Sequence, residues 1–254
     1  MAVLLWGGHF FLSIICYCAD MTRIILDAVS VTLLNRAVIR DVSATLSERR
    51  IAFVGRNGSG KSTLMRSIAG LIPYKGRILL GDVPANGPRK ELLGQVGLLF
   101  QNPDHQIIFP TVKEELSFGL KALGFSKRGI SERVDHILAE FGRSDWRERS
   151  VSTLSGGQKQ LLCLMTLLVL EPKILILDEP FTGLDLPVRR ALERILERQP
   201  TQILHVTHDP RDIEAYDRVI WMDEGRILLD GSPEAVIPAY VTQMEQIADA
   251  FADH

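Results

Sequence analysis

The fold is decided by the stretch Gly55-Arg56-Asn57-Gly58-Ser59-Gly60-Lys61-Ser62, which directly follows the apolar run Ile51-Ala52-Phe53-Val54. Its spacing matches the phosphate-binding pattern G-x-x-x-x-G-K-[ST]. A helical run over residues 62–71 comes next, with Leu64, Ile68 and Leu71 on one side. A strand, a glycine-rich turn and a helix in this order are the context that the pattern requires. The sequence therefore predicts a loop that binds phosphate groups.

The residue types of this loop suit phosphate binding. Glycines let backbone N–H groups approach phosphate oxygens closely, and the start of the following helix adds partial positive charge. Lys61 can reach the terminal phosphates, and the hydroxyl of Ser62 can bind Mg²⁺. We assign nucleotide contacts to the whole loop and to the next residue, Thr63. A glycine-rich turn that matches the pattern by chance is the alternative.

A pair of carboxylates follows a second apolar run. Residues 174–177 read Ile-Leu-Ile-Leu and end in Asp178-Glu179. Beside a phosphate loop, the first carboxylate can hold Mg²⁺ through water, and the second can orient or deprotonate a water that attacks the terminal phosphate. A solvated acidic pair at a strand end is the alternative. We favour separate functional roles because a phosphate loop is already predicted in the same chain.

The remaining apolar pattern predicts an α/β fold. Compact apolar runs at 51–54, 174–177, 203–206 and 218–221 are typical of parallel strands that are buried on both faces. Near the start, alternating segments at 23–33, 38–46 and 76–80 predict an antiparallel patch. Between about residues 110 and 170 the apolar period becomes helical, and we predict one helix that Ser131 caps and Gly142 ends. A helical insert therefore interrupts the α/β core.

The composition excludes several classes of protein. The chain has 254 residues, of which 46% are hydrophobic and 24% are charged, with a formal net charge of -2. These values are typical of a globular domain and exclude a disordered or collagen-like chain. Proteins that bind nucleic acid usually carry a basic excess, because phosphate neutralisation supplies most of their affinity. We therefore expect no nucleic-acid partner.

A further set of motifs points to a family. Leu154-Ser155-Gly156-Gly157-Gln158 resembles the signature of the ATP-binding subunits of ABC transporters. The other motifs of that family match, in its order, the loop at 55–62, Gln101, the pair Asp178-Glu179, Asp185 and His208. The resemblance implies a P-loop ABC ATPase domain over residues 21–254. Such a domain has a mostly parallel sheet, an N-terminal antiparallel β patch and an inserted helical subdomain, here at about residues 103–165.

The resemblance also implies roles for these residues, with ATP and Mg²⁺ as cofactors. The implied catalytic residues are Lys61, Gln101, Glu179 and His208. The residues implied to attend the metal are Ser62, Gln101 and Asp178. The signature residues Ser155, Gly156, Gly157 and Gln158, together with Asp185, face the ATP that a second ATPase copy holds. One chain would then supply half of each hydrolytic site, in a homodimer or a heterodimer.

Three positions depart from the family. Leu33 stands where an aromatic side chain commonly stacks on adenine, Leu161 stands where an arginine is frequent, and Phe181 stands where a small polar residue is usual. None of these departures removes a catalytic group. His205 precedes His208 by three residues and lies in a predicted apolar strand, so we expect it to be a structural histidine whose hydrogen bonds are satisfied.

The segment after Gln101 indicates a subtype. It reads Gln101-Asn102-Pro103-Asp104-His105-Gln106-Ile107-Ile108-Phe109-Pro110-Thr111-Val112 and resembles the ATPases of energy-coupling-factor importers, which take up vitamins and transition metals. In the family this segment lines the groove for a coupling helix of the transmembrane subunit. Ile107, Ile108 and Phe109 are candidates for that contact. The alternative is that this apolar triplet belongs to the core.

The subtype implies that ATP hydrolysis powers a membrane importer. The expected partners are a transmembrane scaffold subunit and a substrate-binding membrane subunit, with the ATPase at the cytoplasmic face of the cell membrane. The short chain after Gly231 resembles the ATPase of biotin importers, and cobalt or nickel import is the alternative. A DNA-repair ABC ATPase would carry a long coiled coil between Ser62 and Leu154, where no sustained heptads occur. A translation-factor ATPase would normally carry two ATPase domains and basic segments.

The first twenty residues differ from the rest of the chain. Residues 2–19 contain no Lys, Arg, Asp or Glu and are mostly large and apolar. As a helix this segment would be about 27 Å long, just short of a bilayer core. We expect Met21 to be the natural start and residues 1–20 to come from an upstream start codon. A membrane anchor and an interfacial or partner-packing segment are the alternatives.

Overall fold

Ten strands and seven α-helices lie within residues 21–252, the part of the chain that this computed structural model describes. The strands are β1 (Ile24–Leu33), β2 (Arg36–Leu46), β3 (Arg50–Val54), β4 (Lys75–Leu80), β5 (Val83–Pro84), β6 (Val96–Leu99), β7 (Ile174–Asp178), β8 (Gln202–Val206), β9 (Arg218–Asp223) and β10 (Arg226–Gly231). The helices are α1 (Lys61–Ile68), α2 (Arg89–Leu93), α3 (Val112–Leu123), α4 (Lys127–Glu140), α5 (Gly156–Leu168), α6 (Leu186–Arg198) and α7 (Pro233–Ala252).

The main sheet contains six strands in the order β10-β9-β3-β8-β7-β6. The five strands from β9 to β6 run parallel, and β10 pairs antiparallel with β9. Residues 51–54 and 174–178 are buried throughout, because other elements cover both faces of this sheet. The predicted parallel strands are therefore confirmed. In this order β8 separates β3 from β7. The segment after β8, which contains His208, therefore lies between the phosphate loop and the acidic pair.

The second sheet contains four antiparallel strands in the order β2-β1-β4-β5. Its inward side chains, such as Ile24 and Leu26, pack with α1 and with Phe53 and Ile176 of the main sheet. This confirms the predicted antiparallel patch and, with the main sheet, the α/β fold class. The opposite face of the main sheet packs against α3, α4, α5 and α6 through residues such as Leu177.

The helical part of the protein begins differently from the sequence prediction. Ser131 does not cap a helix: α4 starts at Lys127, and the hydroxyl of Ser126 accepts a hydrogen bond from the Gly129 N–H at 3.1 Å. The earlier start places Ile130 in the helix, where it packs with Val134 and Leu138 in the core, and Ser126 has the extended backbone of an N-cap. Gly142 follows the helix with φ +62°, so the predicted end is confirmed.

Helix α1 is shorter than predicted. It ends at Ile68 rather than Leu71, because Gly70 takes φ +66° and the Leu71 N–H bonds back to the carbonyl oxygen of Arg66 at 2.8 Å. Leu71 is therefore 41% exposed, whereas Leu64 and Ile68 are fully buried. β6, β10 and α7 were not predicted. β6 is only four residues long, and α7 contains Pro238, so neither gives a clear periodic signal.

The expectation that Met21 is the natural start concerns residues 1–20, which lie outside the described residues. Among the residues that the structure describes, no helix combines the length and the apolarity needed to cross a bilayer.

One ion-pair cluster joins the two sheets at the side away from the phosphate loop. Arg218 on β9 makes two hydrogen bonds of 2.7 Å to the carboxylate of Asp230 on β10. The same guanidinium donates to the carbonyl oxygen of Thr45 on β2 at 2.7 Å and to the carboxylate of Glu48 at 3.1 Å. The Arg218 side chain is only 18% exposed, so this cluster holds the edge of the main sheet against the end of the antiparallel sheet.

We expect Arg218→Met to lower the free energy of unfolding by about 2 kcal/mol, because it leaves two half-buried carboxylates without their cation. Urea unfolding followed by circular dichroism measures this change. Arg128→Met is the matched control, since Arg128 pairs with Glu132 at 2.7 Å but is 90% exposed, and its loss should cost less than about 0.5 kcal/mol. Equal midpoints for the two variants would contradict a stabilising role of the cluster.

Candidate active site

The loop between β3 and α1 forms a cradle that only glycine permits. Gly58 and Gly60 take φ +82° and +102°, which side chains of L-residues rarely adopt. A Cβ at Gly60 would also lie 2.7 Å from the Ile39 side chain and 3.0 Å from the Val38 carbonyl oxygen. The loop therefore passes close beside β2 and leads directly into α1 at Lys61. A left-handed glycine loop that leads into a helix start is the geometry that binds phosphate groups through backbone N–H groups.

Lys61 is held inside this cradle. Its ammonium donates hydrogen bonds to the carbonyl oxygens of Gly55 at 2.7 Å and Arg56 at 2.9 Å, and the residue is only 5% exposed. Burial lowers the pKa of Lys61, while the nearby carboxylates of Glu179 and Asp178 act in the opposite direction. The loop thus presents a cation fixed by its own backbone, as binding of a polyanion requires.

Ser62 and Asp178 meet across the sheet. The Ser62 hydroxyl donates a hydrogen bond of 2.8 Å to Oδ1 of Asp178, although 116 residues separate them. Burial raises the pKa of Asp178, and the hydrogen bond from Ser62 works against that rise. The pair places a hydroxyl and a carboxylate at one point beside Lys61, and both are oxygen donors that suit Mg²⁺.

Glu179 is the meeting point of three segments. Its Oε2 accepts hydrogen bonds from Gln101 Nε2 at 3.0 Å and from Thr182 Oγ1 at 3.3 Å. Its Oε1 lies 3.4 Å from Nδ1 of His208. The backbone of Glu179 takes φ +50°, an unfavourable region for a glutamate, and such strain is concentrated at functional sites. The structure therefore brings together the residues that sequence analysis named at 101, 179 and 208.

One cavity of about 310 Å³ collects most of these groups. Its lining residues are Val38, Asn57, Gly58, Gly60, Lys61, Ser62, Thr63, Gln101 and Glu179. Val38 was not predicted as a site residue, and its apolar type in a strand gave no signal for one. Leu33, at the position of the expected aromatic, is 38% exposed and does not line the cavity.

The signature segment lies elsewhere in this chain. Ser155 caps α5 and forms a reciprocal pair with Gln158: the Ser155 N–H donates to Oε1 of Gln158 at 3.1 Å, and the Gln158 N–H donates to Oγ of Ser155 at 3.4 Å. This confirms the predicted cap. None of the residues 155–158 lines the cavity around the phosphate loop, and neither does Asp185.

The signature and Asp185 lie near each other instead. A Cβ on Gly157 would come within 2.9 Å of the Val188 side chain on α6, and Asp185 caps α6 by accepting from the Val188 N–H at 3.0 Å. The predicted site residues therefore form two groups in one chain. One group surrounds the phosphate loop, and the other presents two capped helix starts.

His205 is only partly the residue that the sequence predicted. It is fully buried, and its Nδ1 lies 2.9 Å from the Tyr216 hydroxyl, but its Nε2 has no hydrogen-bond partner among residues 21–252. The expectation of a histidine with satisfied hydrogen bonds is therefore wrong for one ring nitrogen. Burial lowers the pKa of His205 to about 3, so the ring is neutral near neutral pH.

The sequence matches a family model and several named relatives. The family model described as ABC transporter matches residues 39–182. A relative from Rhodobacter capsulatus, the biotin transport ATP-binding protein BioM, is 47% identical over 216 residues, which cover 85% of this chain and 92% of the relative. The energy-coupling factor transporter ATP-binding protein EcfA of Methanosarcina acetivorans is 42% identical over 194 residues, covering 74% of this chain and 70% of the relative.

A solved structure has the same fold. The protein cbiO1 from Clostridium perfringens, described as part of the ABC transporter complex cbiONQ, superposes with a TM-score of 0.74 at 29% identity. The match covers 90% of this chain and 96% of that protein. Together with the family model, these likenesses show that the chain belongs to the ABC transporter family of ATP-binding, ATP-hydrolysing proteins.

Proposed function

We propose that the protein hydrolyses ATP to power an importer of the energy-coupling-factor type, with biotin as the transported substrate. The observation that carries the hydrolytic part is Glu179, whose two carboxylate oxygens are engaged by Gln101 on one side and His208 on the other. This carboxylate stands beside a phosphate cradle with a fixed lysine. That arrangement suits a reaction driven by positioning and electrostatics, as phosphoryl transfer is.

Each residue of the cluster has a role in this proposal. Lys61 neutralises charge on the terminal phosphates, and Glu179 orients or deprotonates the attacking water. Hydrogen bonds from Gln101 and Thr182 hold one oxygen of Glu179, so the other is directed toward His208. His208 has a side chain that is 58% exposed, which leaves it accessible to the terminal phosphate.

Mg²⁺ fits the donors present. Ser62, Asp178 and Gln101 offer oxygen atoms of the kind that Mg²⁺ prefers, and the first two are already within hydrogen-bond distance. Within the described residues, no group of three or more His, Cys, Asp or Glu side chains is placed to hold a metal ion. Ser62, Asp178 and Gln101 would supply part of an octahedral ligand shell, and phosphate oxygens and water the remainder. When bound, the ion neutralises charge that develops on the phosphates.

The second group of residues supports a dimer. The residues 155–158 and Asp185 lie away from the cavity of their own chain, and α5 begins at Gly156-Gly157, a helix start that suits an anion, beside Asp185 at the start of α6. A second ATPase copy would place these helix starts over the nucleotide, so that each site uses residues of both copies. This explains why the sequence carries them without placing them at its own phosphate loop.

The segment after Gln101 supports a membrane partner. Ile108 is 70% exposed and Phe118 is 49% exposed, and the ring of Phe109 lies 5.2 Å from that of Phe118. Ile107 instead packs against the core around α5, so the predicted apolar triplet divides between core and surface. The exposed part suits a transmembrane subunit, since apolar surface of this kind marks interaction sites.

The same segment is held rigidly. The buried carboxylate of Glu115 on α3 accepts hydrogen bonds from the backbone N–H groups of Ile108 and Phe109, at 3.0 and 2.8 Å. Asp104 pairs with Lys159 of α5 at 2.7 Å. A partner bound at this surface would thus be linked to Gln101 on one side and to the signature helix on the other.

The likenesses support the transported substrate. The Rhodobacter capsulatus relative is named for biotin transport, which favours biotin over cobalt or nickel. In this proposal the ATPase is bound to a transmembrane scaffold subunit and a substrate-binding membrane subunit at the cytoplasmic face of the cell membrane. A different subunit contacts the substrate, so the substrate has to be identified in transport measurements with the whole complex.

Glu179→Gln tests the hydrolytic assignment. The variant should bind ATP and hold the ATP-bound dimer, while steady-state hydrolysis falls at least about 100-fold, because the amide cannot accept a proton from water. Phosphate release measures turnover, and size-exclusion chromatography with ATP measures the dimer. Glu171→Gln is the matched control, since Glu171 also has a left-handed backbone, with φ +52°, but lies after α5 outside the cavity. Turnover close to wild type in Glu179→Gln would contradict the hydrolytic role of Glu179.

Ile108→Asp tests the partner surface. The isolated variant should keep its ATPase rate and unfolding midpoint, because Ile108 is exposed, but it should no longer co-purify with a multi-spanning membrane partner. Leu228→Asp, at a position on β10 that is 57% exposed, is the matched control and should retain the partner. Wild-type protein that co-purifies only with ribosomes or DNA would overturn the transport proposal.

A further inference from the structure

A second cavity lies behind Glu179 and His208. It measures about 280 Å³ and is bounded by the segment after β7, the first turn of α6 and the segment after β8. The residues of its lining that matter here are Glu179, Phe181, Arg189, Thr207, His208 and Asp212. Glu179 and His208 reach this cavity from the active site, whereas Arg189 and Asp212 contribute to it from behind.

Arg189 contacts both walls of this cavity. Its guanidinium donates to Oδ1 of Asp212, which follows His208 in the chain, and to Oε1 of Glu193 at 2.8 Å. The guanidinium also lies 5.4 Å from the ring centroid of Phe181, which follows Glu179. Arg189 therefore connects the segment after the acidic pair with the segment after His208.

Asp212 connects Arg189 to Thr207 and Asp209, the two residues that flank His208. The carboxylate is only 5% exposed, and its Oδ2 accepts a hydrogen bond from the Thr207 hydroxyl at 3.1 Å. The same hydroxyl accepts from the Asp209 N–H at 3.0 Å. Both residues that flank His208 are thus tied to one carboxylate. Burial raises the pKa of Asp212 and the charge of Arg189 opposes that rise, so this buried carboxylate depends on its cation.

Phe181 fixes the guanidinium from the other side. Its ring packs edge-on against His205, with centroids 5.5 Å apart and an interplanar angle of 89°. His205 is held in turn by Tyr216. A large aromatic side chain at 181 gives Arg189 a surface for a cation–π contact that a small polar residue does not offer. Phe181 therefore contacts Arg189 with one part of its ring and the buried ring of His205 with another.

We propose that Arg189 is a positioning residue for hydrolysis: through Asp212 and Thr207 it holds His208 at its place opposite Glu179. The inference rests on the proposed roles of Glu179 and His208. It requires no contact between Arg189 and ATP. Without Arg189, Asp212 loses its cation, the turn over residues 207–209 loses its anchor, and the distance between His208 and Glu179 is no longer fixed.

Arg189→Met in the full chain is the first test. The turnover number should fall about tenfold or more, since misplacement of a reacting group by about 1 Å can cost up to about 100-fold. The KM for ATP should stay within about twofold of wild type, because the loop around Lys61 is untouched. Arg189→Lys retains the charge but not the planar fork, so its turnover should lie between that of wild type and Arg189→Met.

The chain offers a matched control one residue along the same helix. Arg190 also pairs with Glu193, at 3.0 Å, but does not contact Asp212. Arg190→Met removes the same charge from the same turn and should leave turnover within about twofold of wild type. A general effect of charge on α6 would move both variants equally.

A double-mutant cycle tests whether Arg189 and Asp212 act as one unit. Asp212→Asn should lower turnover as Arg189→Met does. The turnover of the double variant should be no lower than that of the less active single variant, because all three variants lose the same connection. Multiplied effects in the double variant would overturn the proposal. If Arg189→Met fails to fold, Arg189→Lys and Asp212→Asn decide the question by the same split between turnover and KM.

The two proposals fail in different ways. Turnover in Glu179→Gln that is close to wild type would overturn the proposed hydrolytic role of Glu179. If Glu179→Gln is inactive but Arg189→Met matches Arg190→Met, only the positioning role of Arg189 is overturned. A rise in the KM for ATP with unchanged turnover in Arg189→Met would also overturn it, since that result would mean a role in binding.

Discussion

The parallel pairing of β3, β8, β7 and β6 is the constraint on which this protein depends. All carboxyl ends of a parallel sheet lie at one edge, and these four strands are direct neighbours. There, the phosphate loop follows β3, His208 follows β8, Glu179 follows β7 and Gln101 follows β6. Residues that are far apart in the sequence therefore meet at hydrogen-bond distance, and the register of the strands sets those distances.

The same edge of the sheet holds groups of opposite charge at buried positions. Burial acts against the charged forms of both Lys61 and Asp178, and each group is stabilised by partners that the edge supplies. Lys61 is held by backbone carbonyl oxygens, and Asp178 by Ser62. The groups are thus placed before any ligand arrives, so little reorganisation is needed when phosphate charge enters the site. The left-handed backbone of Glu179 is a local strain that the surrounding sheet maintains.

Local patterns predicted the structure correctly where one residue meets the requirement of a turn or cap, and wrongly where two residues meet it. The phosphate loop has its glycines where the backbone is left-handed, and Ser155 is followed by a glutamine at the position that completes its cap. By contrast, Ser126 and Ser131 can each begin a helix, and only the packing of α4 selects the first. Leu71 fits the helical period, but Gly70 ends the helix before it.

The sequence by itself determined the α/β fold, the phosphate loop, the acidic pair and the family, because each depends on residue types at fixed short spacings. Only the tertiary structure decided which of these residues meet. It joined Gln101 to Glu179 across 78 residues and Arg189 to Asp212 across 23, and it kept the signature at 155–158 away from the cavity of its own chain. The physical reason is that strand order and helix packing set long-range distances, and no local pattern in the chain encodes them.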